Sequence, residues 1–301
     1  MKLQDFIGTG LKYSFQAIAI DKELATQIQI RLIMLGLLEP PADGQFGPIT
    51  TAALKKFQNL MRCNEIEYLG AVTAKRLIEA KLEDIPQQPL KLGNNLASRI
   101  IKYMQAMNYQ ISQGAKQYNI VYFEGMDANG NVNSDAPNYF NDRRMIIQIL
   151  EGVPYIIGNW EGTTEPGYYY TYNPMNDNGA ARIKFGQYKA WQVGLHGIYD
   201  THEALVQVAP ITVHRDFNQD LTRTGDKLDT GLFAINQHWG YDMPYNDIDM
   251  ASAGCLVGRT RQGHREFMRL VKQDLRYQLN NNYTFHTTVI PADDLVKRFP
   301  G

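Results

Sequence analysis

At 301 residues the chain is long for one domain, and the usual domain size points to two. Hydrophobic residues at 44% against 20% charged give an ordinary globular composition with enough apolar surface for a core. A formal net charge of -1, with the basic residues dispersed, excludes the field that would hold a nucleic-acid backbone. The two cysteines, Cys63 and Cys255, exclude a disulfide framework.

Residues 1–21 lack a charged start followed by a continuous apolar core and a small-residue cleavage site, so they read as an N-terminal extension rather than a secretory signal. No stretch approaches the roughly 20 apolar residues of a membrane span. We therefore expect synthesis in the cytoplasm. Asp21 is placed to cap a helix carrying Leu24, Ile28, Leu32 and Leu35 on one face. Gly36 ends it, Pro40 to Gly44 form a turn, and Gly47-Pro48 open a second helix with Ala53, Leu54, Phe57 and Leu60. Val72, Leu77 and Ile78 mark a third. A small three-helix bundle over residues 22–82 follows, and the proline-containing stretch 83–95 reads as a linker.

Residues 96–301 form the second domain. Leu96, Ile100, Tyr103 and Met107 predict a helix, and short β-rich runs follow at 120–123, 145–147, 153–157, 205–206, 211–213, 232–235 and 283–290. Phe267, Leu270, Val271 and Leu275 predict one late helix, which His264 opens as a surface or capping group. The fold class is multidomain α+β, the larger domain mainly β and sandwich- or barrel-like with a few helices. Among 18 tyrosines, those at Tyr168, Tyr169, Tyr170 and Tyr172 fit β-sheet packing or a groove for sugars or peptides.

One segment carries chemistry. A strand over Gly231 to Ile235 would deliver His238 at its end, and Ser252-Ala253-Gly254 would present Cys255 on a turn. An imidazole beside a thiol takes its proton and activates the sulfur as a nucleophile. Successive amides converging near Gly254 can hold an oxyanion, each donor worth about 2.7–4 kcal/mol in the transition state. His196 and His214 are possible cleft residues. The Asp216 to Asp220 and Asp127 to Asn131 segments lack the full calcium loop and read as Asx turns. A zinc site from His214, His238 and Asp216 has no helical ligand spacing behind it, so we expect no metal and no cofactor.

Two resemblances rest on these residues. The run Ile28 to Gly36, Asp43-Gly44-Gln45-Phe46-Gly47-Pro48-Ile49-Thr50, then Ala53, Phe57-Gln58 and Leu69 to Thr73 with Leu77, resembles the peptidoglycan-binding domain of wall hydrolases. It implies glycan or stem peptide as partner. The histidine and the Ser-x-Gly-Cys turn, with 17 positions from His238 to Cys255, resemble the catalytic segment of the L,D-transpeptidase family. By position this implies Cys255 as the acylated nucleophile, His238 as its base and the Ala253, Gly254 and Cys255 amides as the oxyanion site, with Ser252 in the same turn. Ala253 stands where that family carries histidine. Val257 stands where it carries Asn or Arg, with Arg259 two positions further as a substrate-binding candidate. The implied function is a cysteine enzyme acting on wall stem peptides as transpeptidase, carboxypeptidase or endopeptidase. A metal-dependent wall hydrolase and a non-catalytic wall-binding component of a phage-like or injection particle stand as alternatives. Reaching the wall then requires lysis or a non-Sec route.

Overall fold

The computed structural model describes residues 1–86 and 89–301, and the chain forms two compact units, Met1–Pro89 and Leu90–Gly301. In the first, β1 (Tyr13–Ser14) pairs antiparallel with β2 (Tyr68–Leu69), and α1 (Phe15–Ile20), α2 (Lys22–Met34), α3 (Pro48–Leu60) and α4 (Ala71–Glu79) surround one core. Asp21 caps α2 by accepting from the Leu24 amide at 3.1 Å, and Pro48 occupies the first turn of α3. Leu24, Ile28 and Leu32 meet Leu54, Phe57 and Leu77, all fully buried. Buried Gln29 fixes the loop between α2 and α3, accepting from the Gly44 amide at 2.7 Å and donating to Asp43 at 2.8 Å.

Residues 1–21, read from sequence as an extension, join this core. Leu3, Phe6 and Ile18 are buried in it, and the Met1 ammonium pairs with Asp21 at 2.8 Å. The elements there are a four-residue 3-10 turn at Leu3–Phe6, the two-residue β1 and the six-residue α1, all too short to show a hydrophobic period. Of the expected linker, Gln87 and Gln88 lie outside the described residues, while Ile85 packs in the first core and Leu90 and Leu92 in the second.

The second unit is mainly β. After α5 (Leu96–Ala106) come β3 (Tyr118–Glu124), β4 (Asp142–Leu150), β5 (Val153–Thr163), the short α6 (Tyr168–Tyr172), β6 (Ala180–Ile183), β7 (Gly186–His196), β8 (His202–Gln207), β9 (Ile211–Asp216), β10 (Lys227–Gly231), β11 (Gln237–Trp239) and β12 (Leu256–Gly258). Then follow α7 (Arg261–Val271), α8 (Leu275–Leu279), β13 (Phe285–Pro291) and α9 (Ala292–Arg298). Eight strands close a barrel in the order β11-β12-β5-β4-β3-β13-β7-β8, and β10-β9-β6 form a separate antiparallel sheet. Ile100, Ile101 and Met104 of α5 pack on Val121, Phe123, Met145 and Ile147.

Two local expectations change. The apolar run at 232–235 is not a strand, because the Phe233 and Ile235 amides both donate to Gln207 Oε1 at 3.0 Å instead of joining a ladder. His238 therefore lies in the middle of the three-residue β11, not at the end of a longer strand. The tyrosine run is helix α6, with Tyr168, Tyr169 and Tyr172 exposed rather than packed in a sheet.

Candidate active site around Cys255

The site is assembled by the parallel pairing of β11 with β12, in which His238 lies opposite Val257. Cys255 immediately precedes β12, and the Leu256 amide donates to the Asn236 carbonyl at 3.0 Å, holding the cysteine turn against the start of β11. The half-buried Cys255 Sγ accepts from the Asn236 amide at 3.4 Å and donates to the Ala234 carbonyl at 3.7 Å. Side chains alternate along a strand, so Asn236 and His238 share a face. Buried Ser252 braces the turn, its hydroxyl donating to the Cys255 carbonyl at 3.0 Å and accepting from the Gly254 amide at 3.1 Å. Gly254 has φ +113°, and a Cβ there would collide with the Ala181 carbonyl of β6. Only glycine fits.

This changes the roles expected for the turn. Ser252 is committed to shaping it and has no hydrogen to offer a substrate. The Gly254 amide is spent on Ser252. Among the described residues the Ala253 and Cys255 amides have no hydrogen-bond partner, which leaves two of the three expected oxyanion donors.

Four histidines, His196, His202, His238 and His264, form one run of ring contacts that includes His238 of β11. Buried His238 donates from Nδ1 to the Trp239 carbonyl at 2.7 Å, the assignment a carbonyl partner requires, so its Nε2 carries the lone pair. His196 stacks on it with ring centroids 4.0 Å apart, and His196 Nδ1 accepts from the Asn236 side chain at 3.0 Å. His202 sits 5.6 Å from His196 and 6.1 Å from His238, and lies flat on Trp239 at 3.8 Å. Burial, then the neighbouring His196, hold His238 well below the usual imidazole range. Burial and His202 bring His196 down to about 4. Burial pushes the Cys255 thiol up to about 11, with the Asn236 amide pulling the other way. The resting pair is thus a neutral thiol and a neutral imidazole, and no hydrogen bond joins them.

A reactivity profile follows. Only the thiolate alkylates, so iodoacetamide labelling of Cys255 should be slow at pH 7 and rise about tenfold per pH unit from pH 7 to 9. A rate already level across that range would mean a preformed thiolate and contradict this electrostatic description.

Several residues that frame the site gave little sequence signal. Tyr122 on β3 is fully buried and donates to the Leu256 carbonyl at 3.3 Å. Arg144 on β4, also fully buried, donates to His264 Nδ1 at 3.0 Å and lies over the Phe267 ring at 4.1 Å. His264 is therefore not a surface or capping group. Thr260 caps α7, accepting from the Gly263 amide at 3.1 Å, which turns His264 inward, where its Nε2 donates to the Glu203 carbonyl at 2.8 Å. Arg259 is bound to Glu161 at 2.5 Å and to the Met243 carbonyl at 3.2 Å, so it anchors the loop after β11. His214 stands on β9 in the three-stranded sheet and has no part in the histidine ring contacts.

Behind β5 a buried ionic group supports the cysteine turn. Thr163 pairs with Val257, and Glu165, two residues on, is held by Arg182 of β6. Arg223 grips both oxygens of Glu124, and Asp142 accepts from the Thr164 amide and hydroxyl at 2.6 and 2.9 Å. Burial raises Glu165 to about 7 against the pull of Arg182. Among the described residues Glu124, Asp135 and Glu165 are the one group of three possible ligands with atoms within 4.8 Å of each other. Two of them are already bound by arginines. His214, His238 and Asp216 do not form such a group. Asp216 instead takes the Asp220 and Leu221 amides at 3.1 and 3.2 Å, and Asp127 those of Asn129 and Asn131 at 2.8 and 3.0 Å, as Asx turns do.

Residues 21–65 match the family described as "Putative peptidoglycan binding domain". No curated protein matches the chain. Among solved structures the chain is similar to a fused Zn-dependent amidase/peptidase/peptidoglycan-binding domain-containing protein from Clostridium acetobutylicum. The identity is 12%, over 93% of this chain and 100% of that one, with a TM-score of 0.29. A likeness that slight carries no argument about fold or activity. The first unit thus holds a segment of peptidoglycan-binding type, and no helix of the described residues is long and apolar enough to cross a membrane.

Proposed function

We propose that the chain is a peptidoglycan-directed enzyme of L,D-transpeptidase type, in which Cys255 is acylated by a wall stem peptide. The observation that carries this reading is the pairing that lays the Cys255 turn beside β11, with Sγ 3.4 Å from the amide of Asn236, two residues from His238. The thiol hydrogen leaves the Ala234 carbonyl for His238 Nε2 as Sγ bonds to the substrate carbonyl carbon. The carbonyl oxygen, now negative, takes the Ala253 and Cys255 amides. The C–N bond then breaks, and His238 returns its proton to the leaving amine. An acceptor amine resolves the thioester as exchange, or water as hydrolysis. His238 suits this cycle because its neutral form, the one able to accept a proton, prevails at pH 7.

The segment at residues 21–65 supports the choice of peptidoglycan as substrate and the placing of this chemistry on the wall. The test is to incubate purified muropeptides with the wild type and with Cys255→Ala. Product formation should vanish in the variant, and equal product patterns from the two proteins would sink the proposal.

A further inference from the structure

Between β8, β11 and α7 of the second unit lies an open cleft of about 500 Å³. Its walls include His202, Glu203, Trp239, Arg265, Arg269 and Lys272. Lys272 is neutralised by Glu203, whose two oxygens it meets at 2.7 and 2.9 Å. Arg265 and Arg269 are not. They stand one turn apart on α7, both exposed, and neither forms an ion pair or hydrogen bond among the described residues. The Arg265 guanidinium lies 5.3 Å from the Trp239 ring centre. Two unpaired cations therefore line a cleft whose floor includes Trp239 and His202.

That floor is itself unsatisfied. Trp239 and His202 are each 6% exposed, yet Trp239 Nε1 and His202 Nε2 have no hydrogen-bond partner. His202 donates from Nδ1 to the Asp200 carbonyl at 2.7 Å, so its Nε2 presents a lone pair in the neutral ring. Unmatched buried polar atoms are rare in folded proteins, because each has lost its water without gaining a partner. Both atoms belong to residues of a cleft wall with excess positive charge, and of the two it is the Trp239 donor that a carboxylate would satisfy.

We infer that this cleft is a carboxylate-binding subsite, in which the forked donors of Arg265 and Arg269 clamp a carboxylate over the Trp239 edge. Resting on the function proposed above, the carboxylate is that of a peptidoglycan stem peptide. The His202 ring in the cleft wall lies 6.1 Å, centre to centre, from the His238 ring, which places the cleft on the same run of histidines as the proposed base.

The probe is the tripeptide L-alanyl-γ-D-glutamyl-L-lysine, titrated into the full chain by calorimetry and by the ¹⁵N indole resonance of Trp239. The free acid should bind and shift that resonance. Its fully amidated form should not. Kd should rise at least tenfold in the exposed double variant Arg265→Gln/Arg269→Gln and stay unchanged in Cys255→Ala. Absence of binding, equal binding of the amide, or an unchanged Kd in the double variant would overturn the inference. So would displacement of the tripeptide by inorganic phosphate at comparable concentration, which would mark a general anion site. Because the readout is binding, it is separable from the enzyme proposal: loss of turnover in Cys255→Ala with normal turnover and Kd in the double variant refutes the cleft alone.

Discussion

His238→Gln is expected to lower muropeptide turnover by roughly 10²–10⁴-fold, the usual contribution of a positioned general base. Glutamine can still donate to the Trp239 carbonyl, and so preserves the bond that orients the imidazole at 2.7 Å, but it cannot take a proton from the thiol. The pH profile gives a second, independent reading. A base whose pKa is lowered by burial stays deprotonated as the pH falls past 6.5, so the acidic limb of wild-type kcat/KM should lie below pH 6.5. A variant with wild-type turnover, or an acidic limb centred at or above 6.5, would remove His238 from the role of base.

Arg223→Met should destabilise the second unit by about 3–5 kcal/mol, because it leaves Glu124 buried without its cation beside Asp142 and Glu165. Arg223→Met/Glu124→Gln should recover much of that loss by removing the stranded charge. Trp160, Trp191 and Trp239 all lie in residues 90–301, so fluorescence-monitored denaturation reads this unit alone. A change below about 1 kcal/mol in the single variant, the range of exposed ion pairs, would show that water reaches the cluster and that it does not support the cysteine turn.

The division between what the sequence reveals and what it hides is physical. The helices of the first unit announce themselves because Leu24, Ile28 and Leu32 repeat at the helical period and Asp21 and Pro48 mark the starts. The turn around Gly254 is legible for a similar reason: its backbone geometry admits one residue type, and the cysteine follows at once. Partners brought together by the barrel leave no such mark. His202 stacks on Trp239, and Arg223 binds Glu124 from 99 residues away, through pairing that no local pattern encodes. His264 shows how a local signal misleads. Its place near a helix start suggests the surface, yet Thr260 sets the helical phase and turns the ring toward Arg144. The 232–235 run misleads in the same way, since one glutamine side chain, Gln207, takes the amides a strand would have used.

For the second unit, the central claim is that Cys255 carries an acyl group during the reaction. Mixing the protein with a muropeptide, quenching in acid and measuring the intact mass tests it directly. A thioester adduct should appear, map to the peptide containing Cys255, and be absent from Cys255→Ala. Turnover without any adduct, continuing undiminished in Cys255→Ala, would contradict the claim.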